Sequence, residues 1–214
     1  MEDALRLRAR AARDAVVSGA LRGVDLIELI RSIPVLDRDA WVDELLGVEP
    51  PPPDAPDLPR GAVPYLPCGI DEILALVHDV PLGPTDDLVD IGAGLGRAAI
   101  LAHLLSGART SGIEIQARLV HLARERCAAL NVTAVSFVHA DAADTPLDGS
   151  VFFLYAPCNG QLLARVLNRL QEVARRRPIT VAAVGLELDA PWLIPRSSSM
   201  ATLALYLARV ANPS

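Results

Sequence analysis

A chain of 214 residues, 51% apolar and only 4% aromatic, is long enough to bury one α/β core and short for two large domains. The net charge of −6 argues against a protein built to grip a phosphate backbone, and all twenty basic residues are arginine, a compositional bias rather than a recognition device. Cys68, Cys127 and Cys158 are too widely spaced for a disulfide framework or a zinc site, the opening MEDALRLRAR has no signal-peptide core, and no segment approaches ~18 uninterrupted apolar residues; the expectation is a cytoplasmic protein with no membrane partner and no metal.

From Glu2 to about Gly47 the spacing of Leu5, Ala9, Ala12 and Val16, then of Leu26, Ile30 and Ile33, predicts two or three short helices, an N-terminal helical cap over residues 1–48. Residues 49–64, EPPPPDAPDLPRGAVP, form a proline-rich linker expected to run extended across a surface. Residues 65–214 then read as the core. Ile70, Ile73, Leu74 and Val77 recur at helical spacing before an apolar strand over Asp87–Ile91, and a helix carrying Ala98, Leu101, Leu104 and Leu105 follows. Further strands are predicted at Thr110–Ile115, Val135–Ala140, Val151–Ala156 and Ile179–Leu186, with helices through Val120–Leu130 and Gln161–Arg177 between them. A last strand, Thr202–Val210, is placed at or near the sheet edge. Near-continuous apolar strands alternating with helices imply a doubly wound, mostly parallel Rossmann-like α/β sheet with helices on both faces.

The chemistry concentrates at Asp90-Ile-Gly-Ala-Gly-Leu-Gly-Arg97, where a buried strand hands over to a helix. Gly92 and Gly94 permit a tight turn and close approach of a ligand, and Gly96 lets the next helix pack closely. The second strand ends at Glu114, whose carboxylate can accept both hydroxyls of a ribose. A dinucleotide fingerprint requires its third glycine where Arg97 stands, so the pyrophosphate spacing is missed. The negative charge of Asp90 would repel a pyrophosphate and attract the ammonium and sulfonium of S-adenosylmethionine.

With these residues the segment from about Tyr65 to Val210 resembles the class I S-adenosylmethionine-dependent methyltransferases. The resemblance implies that Gly92, Ala93 and Gly94 lie beside the methionine part of the cofactor and that Glu114, with Ile115 next to it, meets the ribose. Asp141, with Ala142, stands where the family places an acidic residue near the adenine amino group. Tyr155-Ala-Pro-Cys-Asn159 occupies the place of the fourth-strand motif, with Tyr155 and Asn159 the candidates to orient an acceptor. Pro64-Tyr65-Leu-Pro-Cys68 further resembles the segment before the glycine motif in the Dot1-like branch and its bacterial relatives, although Cys68 stands where Ser or Thr is commoner.

Other residues carry blander expectations. Cys68 and Cys158 flank prolines near the expected pocket and read first as small buried hydrophobes. His139 is the one histidine placed to serve as a base, and Arg175–Arg177 caps a helix end. The acceptor is expected to be a small molecule, a peptide or a protein side chain, with nucleic acid disfavoured. The N-terminal helices offer either a lid for the acceptor or a homodimer contact. A nonenzymatic cofactor sensor and, more remotely, a nicotinamide-dependent oxidoreductase are the competing functions.

Overall fold

Seven strands make up the sheet: β1 (Asp87–Ile91), β2 (Arg109–Glu114), β3 (Val135–His139), β4 (Val151–Tyr155), β5 (Thr180–Val184), β6 (Leu193–Arg196) and β7 (Leu203–Ala208). In the computed structural model, which describes residues 1–208, they form one sheet ordered β3-β2-β1-β4-β5-β7-β6. The pairs β3/β2, β2/β1, β1/β4 and β4/β5 are parallel, and β7 runs antiparallel to both β5 and β6. The chain order reverses between β1 and β4, so a crevice opens there at the carboxyl ends of the central strands.

Alternation along the strands sends Leu88 and Phe153 to one face and Val89, Ile91, Phe152 and Leu154 to the other. Helices α4 (Ile70–Asp79), α5 (Arg97–Ser106) and α6 (Ala117–Ala129) cover the first face. The second is covered by α7 (Gly160–Ala174), which buries Leu162, Val166, Leu170 and Val173 at helical spacing. The N-terminal helices α1 (Asp3–Val17), α2 (Gly23–Arg31) and α3 (Arg38–Leu46) form a further layer outside α4 and α5. Ala9, Ala12 and Val16 of α1 are buried as their spacing predicts, and together with Leu26, Trp41 and Leu45 they share one apolar core with Leu101 and Leu104 of α5. No helix among the described residues is long and apolar enough to cross a membrane.

One departure from the sequence expectation lies at the carboxyl end. Strand β6 was not anticipated: of Leu193-Ile-Pro-Arg196 only Leu193 is buried, and Pro195, which lacks an N–H, is tolerated because the strand lies at the sheet edge. The strand expected at Thr202–Val210 is β7, one place in from that edge; its last two expected residues lie outside the described ones. Helix α7 ends at Ala174, so the arginine run follows it, and Arg177 pairs with Asp148 at 2.5 Å.

Residues 48–69 contain no helix and no regular strand, yet they are fastened to the core. Ala62 bridges Cys158 in antiparallel fashion, the Val63 N–H donates to the Pro157 carbonyl (3.1 Å), and the Asn159 N–H donates to the Gly61 carbonyl (2.8 Å). The proline-rich segment is therefore a strap across the carboxyl end of the sheet.

Candidate active site

The turn after β1 is stitched to the end of β2, with the N–H groups of Gly92 and Ala93 both donating to the Ile113 carbonyl (2.8 and 3.1 Å). Two of its glycines are required by their neighbours. A Cβ on Gly94, at φ +52°, would stand 2.2 Å from Tyr65 Cε2, so the tyrosine ring of the strap rests directly on the turn. Gly96, at φ +78°, caps α5, and a Cβ there would stand 2.4 Å from Phe137 Cζ. Gly96 thus serves packing against β3 rather than facing the crevice.

A cleft opens at the reversal of strand order, as expected for an open α/β sheet. Seven of the candidate cofactor-binding and catalytic residues line it: Tyr65, Gly92, Glu114, Ile115, Asp141, Ala142 and Tyr155. Apolar walls come from Ile91, Ile113, Leu162 and Val166. No arginine or histidine is among the lining residues, and the carboxylates of Glu114 and Asp141 are its charged groups. Asp90, Ala93, Gly94 and Gly96 are not part of this lining; the first two are buried beside the turn. Asn159 is exposed at the start of α7, outside the cleft wall.

Glu114 is buried and both of its oxygens are already engaged: Oε2 accepts the Gly94 N–H and Oε1 the Gln116 N–H, each at 2.8 Å. A carboxylate oxygen accepts more than one hydrogen bond, so acceptor capacity toward the cleft remains. Burial raises its pKa, against the pull of these backbone donors. Asp141 Oδ1 accepts the Ala143 N–H (2.8 Å), so the residue caps a short turn while also lining the cleft. Asp90 is 3% exposed, and its Oδ2 has no hydrogen-bond partner among the described residues. Burial pushes its carboxyl up to about 7, the Glu114 charge adds to this, and the Ala99 N–H opposes it.

Burial also raises Tyr65 to about 12 and raises Tyr155, so both phenols stay protonated at neutral pH. Cys158 lines the cleft and Cys68 is buried nearby; burial raises both thiols, which behave as small apolar groups. His139 lies away from the cleft lining, with Nε2 3.0 Å from the Ile115 carbonyl.

Two functional neighbours carry no sequence signal of their own: Gln116 lines the cleft and is hydrogen-bonded to Asp54 of the strap, and Arg97 joins the turn to α3. Pro157, the proline of the fourth-strand segment, packs against Gly92. Arg97 is 4% exposed and donates to the Cys68 carbonyl (2.6 Å) and Asp39 Oδ1 (2.7 Å), with Asp43 Oδ1 3.1 Å from its Nε.

A family model described as a methyltransferase domain matches residues 88–176, from the start of β1 to just beyond α7. No curated protein matches in sequence. Among solved structures, an RNA methyltransferase from Salinibacter ruber in complex with S-adenosyl-L-homocysteine is 22% identical, with 70% of this chain and 96% of that one covered and a TM-score of 0.51. The putative methyltransferase yhhF from Escherichia coli is 19% identical over 72% of this chain and 91% of its own, with a TM-score of 0.54. A variant of MtNAS in complex with S-adenosylmethionine is 15% identical over 66% of this chain and 63% of its own, with a TM-score of 0.55. At these identities the likeness is one of fold. Residues 88–176 thus match a methyltransferase-domain model within a sheet whose fold is shared with these structures.

Proposed function

We propose that the cleft holds S-adenosylmethionine and that the protein transfers its methyl group in line to a nucleophile on a small molecule, a peptide or a protein side chain. The carrying observation is the charge of the lining: two carboxylates, apolar walls and no arginine or histidine. A pyrophosphate would find nothing there to neutralise it, whereas a nucleoside bearing cationic groups meets acceptors for its hydroxyls and amino groups. The unpartnered Oδ2 of Asp90 fits the same ligand, because a buried carboxylate oxygen without a donor is costly until a cation or donor reaches it.

In this assignment Glu114 accepts from the ribose with the capacity its two backbone donors leave free. Asp141 accepts from the adenine amino group, and Asp90 offsets the ammonium of the methionine part. S-adenosylmethionine supplies an activated methyl on a positive sulfur, so the protein's task is alignment and the exclusion of water. Tyr155, half-buried at the end of β4 and protonated, is the group placed to orient an acceptor lone pair by donating or accepting one hydrogen bond. The exposed position of Asn159 gives it no such part.

Incubation with methyl-labelled S-adenosylmethionine and fractionated cell extract tests the assignment. Label is expected in a small-molecule, peptide or protein fraction. Calorimetric binding without transfer to any fraction would favour the sensor, and saturation by NAD in place of S-adenosylmethionine would overturn the proposal.

A further inference from the structure

Resting on the cleft as the S-adenosylmethionine site, we propose that Asp54 and Gln116 are positioning residues: their contact clasps the strap shut, holds Tyr65 on the glycine turn, and sets how fast the cofactor leaves. Asp54 Oδ1 accepts two hydrogen bonds, from the Tyr65 N–H (2.9 Å) and from Gln116 Nε2 (2.7 Å). Gln116 Oε1 in turn accepts the Ala55 N–H (2.8 Å). The side-chain amide is therefore paired on both ends with neighbouring strap residues. Turning it over would set donor against donor at Ala55 and acceptor against acceptor at Asp54, so its orientation is fixed.

The far side of the clasp is the cofactor machinery. Gln116 is 6% exposed, and its backbone N–H donates to Glu114, whose second oxygen holds the Gly94 N–H. Tyr65 closes the circuit, because its backbone hangs from Asp54 while its ring covers Gly94. One loop of contacts thus runs by hydrogen bonds from strap to second-strand carboxylate to glycine turn, and back to the strap through the Tyr65 ring packed on Gly94. The run Pro50–Pro53 just before the clasp has fixed φ angles and no N–H groups, so it moves as a stiff arm and adds no backbone donors of its own. The strap is also attached by the backbone bridging of residues 61–63 to residues 157–159 and, at its end, by Arg97 through the Cys68 carbonyl. Asp54 does not line the cleft, so its contribution is exerted through Gln116 and Tyr65.

The decisive pair of variants is Asp54→Ala and Asp54→Asn. Both remove the charge, but asparagine keeps an oxygen that can accept from Tyr65 and Gln116, and alanine does not. Two measurements are made on the full chain: hydrogen exchange of the Tyr65 amide without ligand, and the dissociation rate of S-adenosyl-L-homocysteine by competition. Asp54→Ala is expected to speed both by about tenfold, the weight of one or two hydrogen bonds, with its unfolding midpoint close to that of the parent. Asp54→Asn should return both to within about threefold of the parent. Unchanged Tyr65 exchange in Asp54→Ala overturns the clasp. Faster exchange with unchanged dissociation overturns its control of release. Failure of the parent to bind S-adenosyl-L-homocysteine would overturn the cofactor assignment instead, and the Tyr65 exchange would still decide whether Asp54 holds the strap.

Discussion

The two sides of the glycine turn treat charge in opposite ways. Toward α3 and α6 the turn is braced by two buried arginines: Arg97 reaches Asp39, Asp43 and the Cys68 carbonyl, and Arg126 donates to the Leu95 carbonyl within the turn itself. Toward the cleft the turn meets carboxylates and no cation. The guanidinium NH groups that are engaged on the first side fix the N-terminal helices and the turn to one another. Acceptor capacity on the second is left over after Glu114 has taken two backbone N–H groups, and that surplus is what a ligand can use.

Breaking the braced side should therefore cost folding, and the largest effect is expected from Arg97→Met. Its partners Asp39 and Asp43 and the Cys68 carbonyl lose their donor in a buried setting, although Asp39 itself is 60% exposed and partly screened. A loss of about 3 kcal/mol in urea unfolding is expected, toward the lower end for a broken buried pair. A loss below about 1 kcal/mol would mean that the bracket behaves as a surface ion pair and that the N-terminal layer is held by apolar packing alone.

The turn's own glycines sharpen the contrast. Gly96→Ala drives a Cβ into the Phe137 ring and, at 3.1 Å, toward Ala123, both buried, at a positive φ that alanine resists; about 2 kcal/mol of stability should go, with little specific effect on binding. Gly94→Ala meets Tyr65, which belongs to the strap and can swing aside. About 1 kcal/mol of stability is expected there, accompanied by a loss of about tenfold or more in S-adenosylmethionine affinity by calorimetry. If the two substitutions proved interchangeable, the division between a glycine packed against the core and one covered by the strap would fail.

Much of this arrangement is legible in the sequence because local rules fix it. Buried parallel strands must be apolar on both faces, so β1, β4 and β5 stand out as runs, and the turn after β1 advertises its glycines. The cleft residues on strand ends, Glu114 and Tyr155, follow from their position. What escapes is whatever joins distant segments through side chains. Asp54 and Gln116 are 62 residues apart, and neither type at either place announces a partner. Arg97, in the first turn of a helix where a positive charge is ordinarily unfavourable, reads as a solvated residue until α3 supplies two carboxylates above it. Strand β6 owes its existence to pairing with β7, since a four-residue segment containing proline has no strand pattern of its own.

A pH-dependent effect separates the unused acceptor of Asp90 from the spent ones. Its carboxyl is pushed up to about 7 by burial, with Glu114 adding, against a value near 4 in the unfolded chain. Between those values the folded state binds more protons than the unfolded state, so stability falls as pH rises and the loss levels off above about pH 7. Urea titrations at intervals from pH 5 to pH 8 should show the parent losing up to about 1 kcal/mol per pH unit more than Asp90→Asn, which has no proton to lose. A cationic ligand beside Asp90 favours the ionised form, so S-adenosylmethionine should bind the parent more tightly as pH rises across this range, with proton release, and bind Asp90→Asn with a flatter profile. Parallel stability curves would mean that Asp90 holds its charge in the folded state at all these pH values. Parallel binding curves would move the ammonium elsewhere in the cleft, and with it the reason for placing a carboxylate just ahead of the turn.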